Sequence, residues 1–258
     1  MKMRKGWSTL IAAALLMTAA AGLYADDTPV GIYFNPVRGD DSSHCYGYEG
    51  TRIALEENGF DNVSYVKSLK AEDLKGIKVL IMSCVLGYPR GWDLKQVKEE
   101  QRRFVENGGG LVLIQESIGW RGIFKDNPIF PEFGRGVAHD GKSYGPVQLT
   151  PLLVIDKKHP ITRDLPDQFP MQYDAAPLKP GEKGRVLIML SDDAIVRSVK
   201  TKIDKMAALI VGEHGKGRVV LIGPLVGVSR LPREMENPPA GGELKMLLNS
   251  VRWAAGGN

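Results

Sequence analysis

The chain has 258 residues, of which 43% are apolar and 25% charged, and a formal net charge of +4. That length and apolar content build a full core in one large domain, or less economically in two small ones. No lysine or arginine cluster and no basic aromatic module stands out, which excludes nucleic acid as a partner.

Residues 1–25 are expected to fall outside the fold. Lys2, Arg4 and Lys5 precede an alanine- and leucine-rich run from Leu10 to Leu23, and Leu23-Tyr24-Ala25 before Asp26-Asp27 has the form of a signal-peptidase site. The pattern predicts export to the periplasm or medium with cleavage after Ala25; an uncleaved anchor is the alternative. Cleavage removes three basic and no acidic residues, so the mature chain of 233 residues carries +1. No second apolar run is long enough to cross a membrane, so no membrane contact is expected after cleavage.

From Val30 onward, short apolar runs alternate with amphipathic ones. Val30 to Phe34 reads as a strand, Asn35 to Gly47 as a polar loop, and Tyr48, Ile53, Ala54 and Leu55 mark a helix that stops at Asn58-Gly59. Val63 to Leu69 and Ile77 to Met82 are the next strands. Asp93 to Asn107 is a helix burying Leu94, Val97, Phe104 and Val105. Gly108-Gly109-Gly110 then releases the chain into Leu111-Val112-Leu113-Ile114, a buried parallel strand ending in Gln115-Glu116-Ser117. This alternation predicts an α/β fold with a parallel sheet ordered 2-1-3-4. Chemistry collects beyond the carboxyl ends of such strands, and an elbow there projects one side chain toward neighbouring backbone N–H groups.

Ile118 to Pro146 is long and irregular, and its Trp120, Phe124, Phe130, Phe133 and Tyr144 argue that it is ordered. Val147 to Ile155 and Arg185 to Leu190 read as strands. Met206 to Val211 and Gly217 to Gly223 form a hairpin turning at His214-Gly215-Lys216, whose histidine is expected to be solvated. A helix over Gly242 to Ala255 closes the domain on Leu244, Leu247, Leu248, Val251 and Trp253. Residues 26–258 are thus expected to form a single domain.

Five segments in order carry a resemblance: Phe104 to Val112, His139, Lys158-His159-Pro160-Ile161-Thr162, Gly215 to Val219, and Leu248 to Gly256. Together they resemble the class I glutamine amidotransferase-like superfamily, and within it the ThuA-like group associated with trehalose utilisation, over about Val30 to Gly256. The resemblance implies a flavodoxin-like parallel sheet flanked by helices, with a C-terminal antiparallel extension, and a sugar-related role. The family's Cys-His-Glu triad is not carried over. Gln115 or Glu116 stands at the elbow, and Leu225 and Gly227 stand at the histidine and glutamate positions. The ThuA-like histidines fall on Gln115 and Pro224. Without a thiolate and its base, acyl-enzyme chemistry on glutamine is excluded.

Two functions remain. The first is a binding module that holds a carbohydrate or small polar ligand, or a protein partner, through Gln115, Ser117, Trp120, His44, Tyr144 and His159. The second is a sugar-processing hydrolase or lyase in which Glu116 and His139 transfer protons. Gln115, Glu116 and Ser117 have a plainer reading too, as groups that satisfy the elbow's own backbone; His159, before Pro160, has one as a turn cap. Cys45 and Cys84 fall on one sheet edge, where a disulfide, two buried thiols, or a metal site with His44 all stay open. The spacing matches no zinc motif, and neither a metal nor a cofactor is expected.

Overall fold

A computed structural model describes residues 26–34, 46–85, 93–119, 127–137, 150–191, 195–196, 201–202, 205–229 and 235–257. In chain order the elements begin β1 (Val30–Tyr33), α1 (Tyr48–Glu57), β2 (Val63–Val66), β3 (Val79–Ser83), α2 (Leu94–Glu106) and β4 (Gly110–Ile114). A single 3-10 turn, Gln115–Ile118, follows β4. Short strands β5 (Gly134–Gly136), β6 (Pro151–Val154), β7 (Gln168–Pro170) and β8 (Leu178–Pro180) lead to β9 (Arg185–Leu190). After the ribbon β10 (Ile195–Val196) and β11 (Thr201–Lys202) come the hairpin β12 (Ala207–His214) and β13 (Gly217–Ile222), then ribbon β14 (Val228–Ser229) and β15 (Met235–Glu236), and α3 (Gly241–Ala254).

These elements make an α/β fold on one sheet, ordered β2-β1-β3-β4-β13-β12-β9-β6-β7. Neighbours from β2 to β13 run parallel and those from β13 to β7 antiparallel. The order of the first four strands follows the alternation in the sequence. The antiparallel part does not sit as a C-terminal extension. β13 inserts beside β4 in the same direction, so its hairpin partner β12 must lie antiparallel outside it. There β12 takes up β9, and β9 takes up β6, from the middle of the chain.

Strand side chains alternate between the two faces. Val112 and Ile114 of β4 pack with Val30, Ile32, Val79 and Ile81 under α1 and α3, through Ala54, Leu55, Met246 and Leu247. Leu111 and Leu113 pack with Leu80 and Met82 under α2, through Val97 and Val105. The second face is completed by Phe130 and Phe133, whose stacked rings lie 5.6 Å apart. Arg102 pins this segment to α2. Its guanidinium donates to the Ile129 carbonyl at 2.9 Å and to Glu132 Oε1 at 2.7 Å, and lies 4.7 Å from the Phe130 ring centre. His214 stands at the hairpin tip as expected, but half-buried rather than simply solvated. Its ring meets Phe130 edge-on at 5.4 Å.

α2 opens on Asp93, whose carboxylate accepts from the Lys95 N–H at 2.9 Å, and Gly108 leaves its end with a φ of 104°. The chain then enters β4 at Gly110, against the last turn of α3. A methyl group on Gly110 would stand 2.4 Å from the Ala254 carbonyl oxygen. Backbone at both sides leaves no room to yield. Gly110→Ala is therefore expected to lower the urea unfolding midpoint, by the equivalent of about 1–3 kcal/mol.

Candidate functional site at the carboxyl edge

β4 does not run smoothly into its turn. Gln115 adopts a left-handed φ of 49°, and Cys84, the residue after β3 on the adjacent strand, adopts 34°. Non-glycine residues accept this conformation at a cost of about 1–2 kcal/mol each. The two strained residues are neighbours, because Ser83 pairs with Ile114 and the Cys84 N–H donates to the Ile114 carbonyl at 3.1 Å. The elbow expected from the glycine-led strand is therefore present, with Gln115 at its apex.

Its polar side chains face inward. Gln115 is 2% exposed, and Glu116 and Ser117 are fully buried. Gln115 Nε2 donates to Asp174 Oδ1 in a short hydrogen bond. Ser117 Oγ accepts from the Val85 N–H at 3.0 Å, so one backbone donor beside the elbow is already satisfied from within. Ser117 thus serves backbone beside the elbow, whereas Gln115 is engaged by a side chain from a distant connection rather than by the elbow's own backbone.

Asp174 arrives on the connection between β7 and β8, residues 171–177, which lies against the exit of β13. The Leu225 N–H donates to the Asp174 carbonyl at 2.8 Å, the Ala176 N–H to the Gly223 carbonyl at 2.9 Å, and Ala175 bridges Pro224. The late positions that the resemblance assigns to a histidine and a glutamate are packed apolar or backbone positions. Leu225 sits with Cys84 and Val228, flanked by the half-buried Tyr46 and Tyr173. Gly227 has a φ of 87°, and a Cβ there would stand 2.3 Å from the Gly47 carbonyl oxygen. A glutamate would not fit at that position.

His159 does not join this edge. It follows β6 and packs against Trp253 at the end of α3, with ring centres 5.0 Å apart. Trp253 precedes Ala254, which abuts the start of β4, so His159 lies at the opposite, amino edge of the sheet. Its Nδ1 accepts from the Ile161 N–H at 3.2 Å, and burial pushes its pKa down to about 4. It is a neutral turn cap rather than a contact for a ligand at the elbow. His139, Trp120, His44, Tyr144 and Cys45 lie outside the described residues; Cys84 itself is buried.

Among the described residues, no group of three or more His, Cys, Asp or Glu converges on a metal-sized site. Two cavities, of about 340 Å³ beside Lys78, Phe104 and Gly108 and about 470 Å³ beside Asp26, Asn249 and Trp253, open at the amino edge, away from Gln115. A third, of about 540 Å³, lies along the start of α2 beside Asp93, Lys98 and Asn127.

Two residues of this region escaped the sequence reading. Asp174 stands 59 positions from Gln115 and has no local signature. Glu243 had one: it lies four residues before Leu247 and eight before Val251, on the apolar stripe of α3, and is 1% exposed.

No family model and no curated protein matches the chain. Solved structures share its fold. One from Bacteroides uniformis, described provisionally as a ThuA-like protein, is 17% identical, with a TM-score of 0.60 over 96% of this chain and 95% of that one. A cytoplasmic protein of Salmonella typhimurium is 14% identical, with a TM-score of 0.59 over 88% of this chain and 98% of its own. A β-galactosidase of Bacillus circulans sp. alkalophilus is 14% identical, with a TM-score of 0.55 over 90% of this chain but 32% of the enzyme. The similarity to a ThuA-like protein agrees with the sequence resemblance, and identities this low establish the fold alone.

The elbow makes a comparative prediction. Gln115→Ala keeps the left-handed backbone and strips the donor from Asp174, so it should cost about 1–3 kcal/mol in chemical denaturation. Gln115→Gly loses the same bond but relieves the strain. It is expected to be the more stable of the two by about 1 kcal/mol; the reverse order would show that no strain is stored at this position.

Proposed function

We propose that this chain is an exported ThuA-like domain protein, built on the flavodoxin-like sheet of the amidotransferase superfamily, that has lost the catalytic triad and binds a carbohydrate at its strand-end cleft. One observation carries the reading: the elbow keeps its strained left-handed backbone, yet its apex is an amide engaged with Asp174. A nucleophile elbow works by presenting a thiolate or alkoxide to a substrate with a base behind it. Here the apex residue has neither chemistry, and Leu225 and Gly227 leave no base.

Several features favour a sugar. Trp120, Phe124 and Tyr144 lie on the segment that follows the elbow in sequence, and flat aromatic faces stack on sugar rings. Tyr46 and Tyr173 add half-buried rings beside Leu225. The same fold forms about a third of a chain described as a β-galactosidase. Full burial of Glu116 weighs against acid–base chemistry shared with His139. Export rests on residues 1–25 alone, since one protein of this fold is described as cytoplasmic.

Screening residues 26–258 on a glycan array tests the proposal. Binding to at least one sugar class is expected, with Trp120→Ala weakening it by roughly tenfold, the equivalent of about 1.4 kcal/mol. Silence across the array, with Trp120→Ala leaving every measured property unchanged, would refute the carbohydrate assignment.

A further inference from the structure

Glu243 lies in the first turn of α3, next to the connection that carries Asp174. Its Oε1 accepts from the Gln172 N–H at 3.1 Å, and its Oε2 has no hydrogen-bond partner among the described residues. Gln172 is two residues before Asp174. The 171–177 connection is therefore tied at three places: to the exit of β13 by the Leu225 and Ala176 amides, to the elbow by Asp174, and to α3 by Glu243.

Among the described residues, the surroundings of Glu243 supply no countercharge. The connection brings Tyr173 and Asp174, the latter engaged with Gln115, and β7 brings the Phe169 ring, which packs on Gly242. On α3 itself, Lys245 reaches outward to the Asp164 carbonyl at 3.0 Å. Among the described residues, burial dominates the ionisation of Glu243, opposed by the Gln172 N–H.

We propose that Glu243, as a neutral acid, is the positioning residue that seats the 171–177 connection against the elbow, and that the connection lifts more readily when this carboxyl is able to ionise. Its importance for binding rests on the cleft reading above, because lifting frees Gln115 and Asp174 toward a ligand. Burial raises the Glu243 pKa from 4.5 to about 8. In the lifted state the carboxyl meets water and returns to its ordinary range. The seated state thus holds the proton more tightly. Its advantage over the lifted state is full below about 4.5, declines as pH rises, and levels off near 8.

Hydrogen exchange on the intact mature chain between pH 5 and 9, followed by mass spectrometry and corrected for the intrinsic rate, reads this directly. Peptides covering residues 171–177 are compared with peptides from β12. The opening constant of the connection should climb by up to about tenfold per pH unit until pH 8 and then level, while β12 shows no matching rise. Glu243→Gln retains an acceptor for the Gln172 N–H and should abolish the climb. A flat wild-type profile, or the same climb in Glu243→Gln, overturns the proposal. Carboxyl carbon NMR of the wild type gives a second test that needs no variant: a Glu243 midpoint near 8 supports the pin, and one near 4.5 overturns it. Neither measurement uses a ligand. A failed pin leaves the carbohydrate proposal standing, and a silent glycan array leaves the pin standing.

Discussion

The hydrogen bond from Gln115 Nε2 to Asp174 Oδ1 is the constraint on which the site depends. It joins the apex of a left-handed elbow to a connection that comes from the antiparallel half of the sheet. An acceptor carboxylate buried at 6% exposure needs a donor, and the amide supplies it. The bond also engages the side chain at the apex of the elbow. It is one of three ties that hold the connection in place.

Around it, the polar groups at the carboxyl edge are bound largely to one another. Ser117 serves the Val85 N–H, Glu243 serves the Gln172 N–H, and Leu225 packs with Cys84 and Val228. The strain at Gln115 and Cys84 persists nonetheless. Left-handed non-glycine residues survive only where the surrounding structure over-determines them, and paired strand ends under two packed faces do so here. The elbow keeps its left-handed backbone while Gln115 and Ser117 bond within the protein.

Much of this was legible in the sequence. Glycines before an apolar run, followed by abrupt polarity, placed the elbow at Gln115 to Ser117, and the alternation of strands and helices ordered the first four strands. Local patterns reach only that far. The bond to Asp174 and the insertion of β13 beside β4 are decided by contacts between distant segments, so no window of residues announces them. His159 was readable from Pro160 as a turn cap, which its bond from the Ile161 N–H displays, whereas the path of β6 that takes it to the other edge, beside Trp253, was not. Glu243 was readable as a carboxylate on an apolar stripe, and amphipathic reading by hydrophobic positions alone passes over such a residue.

The central claim is that this elbow carries no reactive centre. Incubating residues 26–258 with a diazoketone analogue of glutamine, and recording the intact mass alongside ammonia release from glutamine, tests that claim most directly. The account predicts an unmodified mass and no ammonia above background. A single adduct mapped to Cys84, accompanied by loss of a measurable amidase rate, would contradict it.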